Sequence, residues 1–182
     1  MRIVLSFVFA AALVVASLAI GFAKSPVEPP AVGTVAPNFS LTSNEGHPTS
    51  LKKFRGQWVV LYFYPKDFTG GCTIEAHNFQ RDSDKYQAKH AVILGVSVDT
   101  AESHKSFCAK EGLSFKLLSD ADATVSTEYG SLKDYGGTKL SARNTFIINP
   151  KGKIAKVFTS VNPSSHSEEV LAALDELQKM HH

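Results

Sequence analysis

The chain has 182 residues and a near-balanced charge, 19 lysines and arginines against 17 aspartates and glutamates. No basic run is long enough to point to nucleic acid. Its two cysteines, Cys72 and Cys108, lie too far apart for a Cys-x-x-Cys pair, and its seven histidines form no spaced ligand set, so no metal is expected.

Arg2 precedes a run from Ile3 to Ala23 that is apolar except for Ser6, Ser17 and Gly21. Gly21 and Ala23 suit a cleavage site, so residues 1–23 read as a secretory signal peptide. Such a run also suffices to cross a bilayer, which leaves an uncleaved anchor as the alternative. Export makes a disulfide the first expectation for the two cysteines. Residues 24–37 hold Pro26, Pro29, Pro30 and Pro37 and read as an extended linker. Residues 38–182 then form one domain.

Asn38 to Leu41 reads as a short edge strand, and Ser50 as the cap of a helical turn through Phe54 that Gly56 stops. Trp58 to Tyr64 is a continuous apolar and aromatic run, the pattern of a strand buried on both faces. Pro65 to Gly71 is a Pro/Gly loop. Cys72 then opens a helix that extends to about Lys89 and puts Cys72, Ala76, Phe79 and Tyr86 on one face. Cys72 thus sits where a loop feeds a helix N-terminus beyond the end of a strand. Ligand sites of α/β proteins concentrate there, and the local field favours a thiolate.

Ala91 to Val98 is a second uninterrupted strand. Asp99 and Glu102 form an approximate capping box for a helix that carries Phe107 and Cys108 and ends at Gly112. Leu117-Leu118 is a short strand, Ala121 to Tyr129 a helix, and Ser131 to Ala142 a polar loop. Asn144–Ile148 and Lys153–Phe158 form a hairpin through Asn149-Pro150-Lys151-Gly152, which suits a type I turn. Pro163 opens a last helix with Val170, Leu171, Leu174 and Leu177 on its apolar face. The order β-α-β-α followed by β-β-α predicts an α/β thioredoxin fold, a central mixed sheet flanked by helices.

Pro65-x-x-x-Thr69-x-x-Cys72 resembles the active-site motif of the peroxiredoxins. Tyr62-Phe63-Tyr64-Pro65-Lys66-Asp67 with Cys72-Thr73-Ile74-Glu75-Ala76 is similar to the bacterioferritin-comigratory-protein, or PrxQ, branch. Ser97-Val98-Asp99, Leu117 to Asp120 and Arg143 to Ile148 extend the likeness over nearly the whole mature chain. The resemblance implies a hydroperoxide-reducing thiol peroxidase without metal or organic cofactor. It makes Cys72 the peroxidatic nucleophile and Pro65 the shield of its sulfur. Arg143, Thr69 and the N–H groups of Gly71 and Cys72 become donors to the charge that develops on the peroxide. Glu75 would orient that set. In many relatives the resolving thiol lies five residues after the first, but here that residue is His77. Cys108 falls where another group keeps its resolver. The resemblance therefore implies a Cys72–Cys108 disulfide, a thioredoxin-like protein as reductant, and a monomer.

A disulfide needs Cα atoms within roughly 7 Å, so cysteines on two helices imply local unwinding in each turnover, eased by Gly70 and Gly71. Gly70 stands where the branch usually has proline. The plainer expectations are stated with these. Cys72 and Cys108 could be core residues, Arg143 a surface ion pair, Lys66 and Asp67 solvated charges, and the histidines surface or helix positions. Two other functions compete: an exported disulfide oxidoreductase, weakened by Thr73-Ile74-Glu75 after Cys72, and a redox sensor with a structural disulfide. The leader implies export, to a bacterial periplasm or tethered to the membrane.

Overall fold

In the computed structural model, the described residues are 27–180, and the leader lies outside them. The buried run Trp58–Phe63 is the centre of the sheet, and its alternating side chains divide the core in two. Trp58, Val60 and Tyr62 face one cluster with Tyr64, while Val59, Leu61 and Phe63 face the other. In chain order the strands are β1 (Ser40–Ser43), β2 (Pro48–Ser50), β3 (Trp58–Phe63), β4 (Ala91–Ser97), β5 (Lys116–Ser119), β6 (Leu132–Asp134), β7 (Lys139–Ser141), β8 (Thr145–Ile148) and β9 (Ile154–Phe158). The helices are α1 (Gly70–Arg81), α2 (Ser83–Ala88), α3 (Ala101–Glu111), α4 (Thr124–Glu128) and α5 (His166–Met180).

Seven strands pair in the order β2-β1-β5-β4-β3-β8-β9, and β6 pairs with β7 apart from them. β3 runs parallel to β4 and antiparallel to β8, so the sheet is mixed and the thioredoxin-type expectation holds. One core cluster gathers Phe79 from α1, Tyr86 from α2, Phe107 from α3 and Val170 and Leu174 from α5. Cys72 and Cys108 belong to this same cluster. Each large side chain so buried is worth roughly 1.5–3 kcal/mol, which makes this face of the sheet a firm base for the loops at its edge.

Several local expectations need correction. β1 starts at Ser40 and is interior, because β2 covers one side and β5 the other. Residues 33–36 are part of the domain: Gly33 N–H donates to Ile154 O at 2.8 Å, and Ala36 N–H to Gly152 O at 3.0 Å. Ser50 makes no side-chain cap; its hydroxyl reaches Asn38 Oδ1 at 3.3 Å. The helix read as running from Cys72 to Lys89 begins at Gly70 and breaks at Asp82. The buried Asp82 carboxylate draws Arg81, Lys85 and Ser167, and its backbone sits at φ −95°, ψ 8°. A satisfied polar knot outweighs one more turn of regular helix.

Thr100, rather than Asp99, caps α3 by accepting from Ser103 N–H at 3.2 Å. The segment read as a polar loop contains the β6–β7 hairpin, turned by Gly136 and Gly137 at φ 70° and 94°. The last helix starts at His166, three residues after Pro163.

Candidate active site

β3 ends at Phe63, the chain loops through Pro65 and Thr69, and α1 then carries Cys72 in its first turn with Glu75 one turn on. Three-residue spacing puts both side chains on the same face of α1. On the other side, the Asn144 carbonyl accepts from Phe63 N–H at 2.8 Å, fixing the start of β8 against the end of β3. Arg143, immediately before it, is anchored through its own carbonyl to Val161 N–H at 3.2 Å. The antiparallel β3–β8 pairing thereby delivers a guanidinium to α1.

The Arg143 fork divides between two acceptors. Nη1 donates to Glu75 Oε2 at 2.7 Å, and Nη2 donates to the Cys72 sulfur at 3.3 Å. The plain reading of Arg143 as a surface ion pair therefore fails, since its carboxylate partner is almost wholly buried. Burial raises the Glu75 carboxyl to about 7, against the opposing charge and hydrogen bond of Arg143. Its other oxygen, Oε1, has no hydrogen-bond partner among the described residues.

Cys72 is buried and its thiol is free. Pro65 is half-buried at the strand end. Thr69 precedes the first residue of α1 in extended backbone, with its hydroxyl donating to Lys66 O at 2.9 Å. That proton is therefore committed within the loop.

Cys108 is also free and buried, and burial with the negative field of Asp67 and Glu45 pushes its thiol up to about 11. Tyr62 shares the core cluster of both cysteines, and its buried hydroxyl has no hydrogen-bond partner among the described residues. Burial, then Glu75, Cys108, Cys72 and Asp67, hold that phenol well above its usual range. One buried tyrosine thus feels both sulfurs.

Asp67, expected to be a solvated charge, was misread from the sequence and is buried. His104, expected at a surface or helix position, lies on α3 and has no exposed area. Asp67 Oδ2 accepts from His104 Nδ1 at 2.9 Å and from Ser103 Oγ at 2.7 Å, while Tyr64 donates to Oδ1 at 2.7 Å. Burial alone would raise the Asp67 carboxyl, but His104, Tyr64 and Ser103 outweigh it and hold it below the usual range. His166 is likewise buried, its Nε2 2.8 Å from Thr145 Oγ1. Only the Tyr-Pro-Lys-Asp string near the cysteine hinted at the first of these. A hollow of about 670 Å³ lies near Trp58, His90 and Pro150 at the other end of the strands, away from Cys72.

A thiol bonded to a guanidinium at the head of a thioredoxin-fold helix defines a thiol-based redox site. Residues 32–157 match the AhpC/TSA family. The chain is 40% identical over 147 residues to the chloroplastic peroxiredoxin Q of Sedum lineare, covering 80% of this chain and 78% of that one. It is 39% identical over 138 residues to peroxiredoxin Bcp of Xanthomonas campestris, covering 74% and 86%. A mutant of Xylella fastidiosa PrxQ superposes with a TM-score of 0.77 at 34% identity, covering 80% of this chain and 96% of that one. The chain belongs to the AhpC/TSA family, in its peroxiredoxin Q/Bcp branch, and is a thiol-dependent peroxidase.

Proposed function

We propose that Cys72 is the peroxidatic nucleophile, that Cys108 resolves it as an intramolecular disulfide, and that hydrogen peroxide and organic hydroperoxides are both substrates. The 3.3 Å bond from Arg143 to the Cys72 sulfur carries the assignment. A cation in that position stabilises the thiolate, and as the sulfur attacks it lies beside the oxygen that gains charge. The Cys72 thiolate takes the terminal peroxide oxygen, the O–O bond breaks, and water or an alcohol leaves after proton uptake. Cys72 becomes a sulfenic acid, the reversible first rung of thiol oxidation.

Glu75 holds the guanidinium in line, Pro65 limits access to the sulfur, and Thr69 with the N–H groups of Gly71 and Cys72 receives the peroxide. Solved structures of the Xanthomonas campestris protein include one concerned with alkyl peroxide reduction, which supports the breadth of substrate. They also include two single cysteine-to-serine mutants whose positions are 36 residues apart, the separation of Cys72 and Cys108. A thioredoxin or similar dithiol protein then reduces the disulfide by exchange.

The apolar run before residue 24 supports export to a periplasm, with a membrane tether if it is retained. The domain acts as a monomer in this reading. Reduced protein mixed with one equivalent of peroxide should lose both thiols, and Cys72→Ser should abolish the response. Unchanged peroxide consumption in Cys72→Ser would sink the assignment.

A further inference from the structure

The chain enters the domain at the Cys72 end of the sheet. Gly33 and Ala36 are bound at Ile154 and Gly152, the far end of the strands from Cys72. Upstream of them, Val27 O lies 2.6 Å from where a Cβ on Gly130 would stand. Gly130 O in turn accepts from Asn144 Nδ2 at 3.4 Å, next to Arg143. Only residues 24–26 separate Val27 from the apolar run that ends at Ala23. Three residues span at most about 10 Å, so a retained run would hold this end of the domain against a bilayer.

The same end carries exposed apolar side chains. Phe68, in the loop before Cys72, is 46% exposed, and Ile74, two residues beyond Cys72 on α1, is 48% exposed. Tyr135, 44% exposed, lies at the turn of the β6–β7 hairpin, which is rooted beside Arg143 where Ala142 N–H donates to Ser131 O at 2.7 Å. Each of the two rings carries a lysine: Lys110 Nζ is 5.5 Å from the Phe68 centroid, and Lys133 Nζ is 5.5 Å from that of Tyr135. Asp134, the acid between Lys133 and Tyr135, is turned back to accept from Gly137 N–H at 2.6 Å. Rings with lysines reaching past them suit a membrane–water interface, where the ring meets the apolar boundary and the ammonium meets lipid phosphate. A Cβ on Gly70 would meet nothing within 4 Å, so the head of α1 is open to approach from this side.

We propose that the Cys72 end is a bilayer-docking face, tethered by the apolar run before residue 24, and that it takes hydroperoxides carried on lipid acyl chains at the membrane surface. The proposal rests on Cys72 being the nucleophile. A hydroperoxide group is polar and costly to keep among acyl chains, so an oxidised chain presents it near the headgroups. There the Cys72 thiolate bonds to the terminal oxygen, the O–O bond breaks, and the acyl alkoxide leaves as an alcohol after taking a proton. Cys72 is oxidised to the sulfenic acid and the lipid is reduced, so no further oxidant is needed.

The test uses the full chain reconstituted in vesicles of equimolar phosphatidylethanolamine and phosphatidylglycerol that contain a phospholipid hydroperoxide, with hydrogen peroxide as the soluble substrate. Wild type is compared with Tyr135→Ser and with Phe68→Asn, which suits the φ of 61° at that residue. The control is the double variant Val32→Ser, Val35→Ser, which alters exposed side chains at the far end. Phe68→Asn and Tyr135→Ser should each lower kcat/KM for the phospholipid hydroperoxide about three- to tenfold, the scale of withdrawing part of a ring from an apolar phase. Their kcat/KM for hydrogen peroxide should stay within about twofold of wild type, and the control should match wild type on both substrates. Trp58, the one tryptophan of the chain, begins β3 at the end away from Cys72. The strand sets it about 16 Å back from the docking face, so lipids brominated in their acyl chains should leave its fluorescence unchanged. Quenching of Trp58, or phospholipid rates untouched in Phe68→Asn and Tyr135→Ser, overturns the docking face. Equal losses on both substrates would assign the two rings to the reductant protein or to the fold, and overturn it as well. Recovery of the chain from cells as a soluble protein beginning at Lys24 overturns the tether. Hydrogen peroxide turnover that survives Cys72→Ser would instead remove the nucleophile assignment, and the Trp58 readout does not depend on that result.

Discussion

Arg143 donates to the sulfur of Cys72 across 71 positions of sequence, and the same side chain holds Glu75. Removing this guanidinium takes away a donor aimed at developing charge. Arg143→Met should lower kcat/KM by about 10²–10³, with the fold intact by circular dichroism. Arg143→Lys should recover only part of this, because a lysine cannot span two acceptors as a planar fork does.

Glu75 gives the site a pH signature. Its carboxyl titrates near 7 in the folded chain, against 4.5 unperturbed, because burial disfavours the charge more than Arg143 favours it. The folded state therefore holds a proton that the unfolded chain has released. That contribution to stability is complete below about pH 4.5 and disappears as the pH rises through about 7. The unfolding free energy of wild type relative to Glu75→Gln should fall by roughly 3 kcal/mol across this window. Urea titrations of both proteins at pH 4.5 and 8 measure it, and a constant difference would show that Glu75 does not titrate there.

Two adjacent glycines should respond oppositely. A Cβ on Gly71 would lie 2.8 Å from Nη2 of Arg143, whereas one on Gly70 would meet nothing within 4 Å. Gly71→Ala should push the guanidinium aside and cut peroxidase activity about tenfold or more. Gly70 is the first residue of α1, and Thr69 before it has ψ 146°, which suits a following proline. Gly70→Pro should raise stability by about 0.4–1 kcal/mol, read as melting temperature.

Cys108 is held as a thiol by burial, with its acid strength pushed to about 11. In the reduced protein its alkylation at pH 8 should be slow, and unfolding in urea should accelerate it, read by thiol labelling and mass spectrometry. Cys108→Ser should consume one equivalent of peroxide and then stop. Continued turnover with a dithiol protein as reductant would exclude Cys108 as the resolver.

The sheet was readable because buried strands announce themselves locally, as in Trp58 to Phe63. The Cys72 position was readable because a loop feeding a helix has a local composition, and Arg143 came in through resemblance alone. Asp67 and His104 were not readable, since nothing local marks a partnership 37 residues apart that only the packing of α3 against the loop creates. The break at Asp82 escaped for a related reason: its partner Ser167 lies on the far side of the chain, in α5. The β6–β7 hairpin was missed although Gly136-Gly137 was in view, because three-residue polar strands carry too little alternation to outweigh a loop reading.

The antiparallel match of Tyr62 with Thr145 makes the chemistry discrete rather than adjustable. Were β8 to slide along β3 by one residue, every side chain near it would turn to the opposite face of the sheet. Ala142 or Asn144 would then occupy the place of the guanidinium, and neither brings a positive charge. Evolution can lengthen the 149–152 turn or the 159–165 connection freely only while that alignment is preserved, so the peroxidase is switched on or off by strand registry before any side chain is changed.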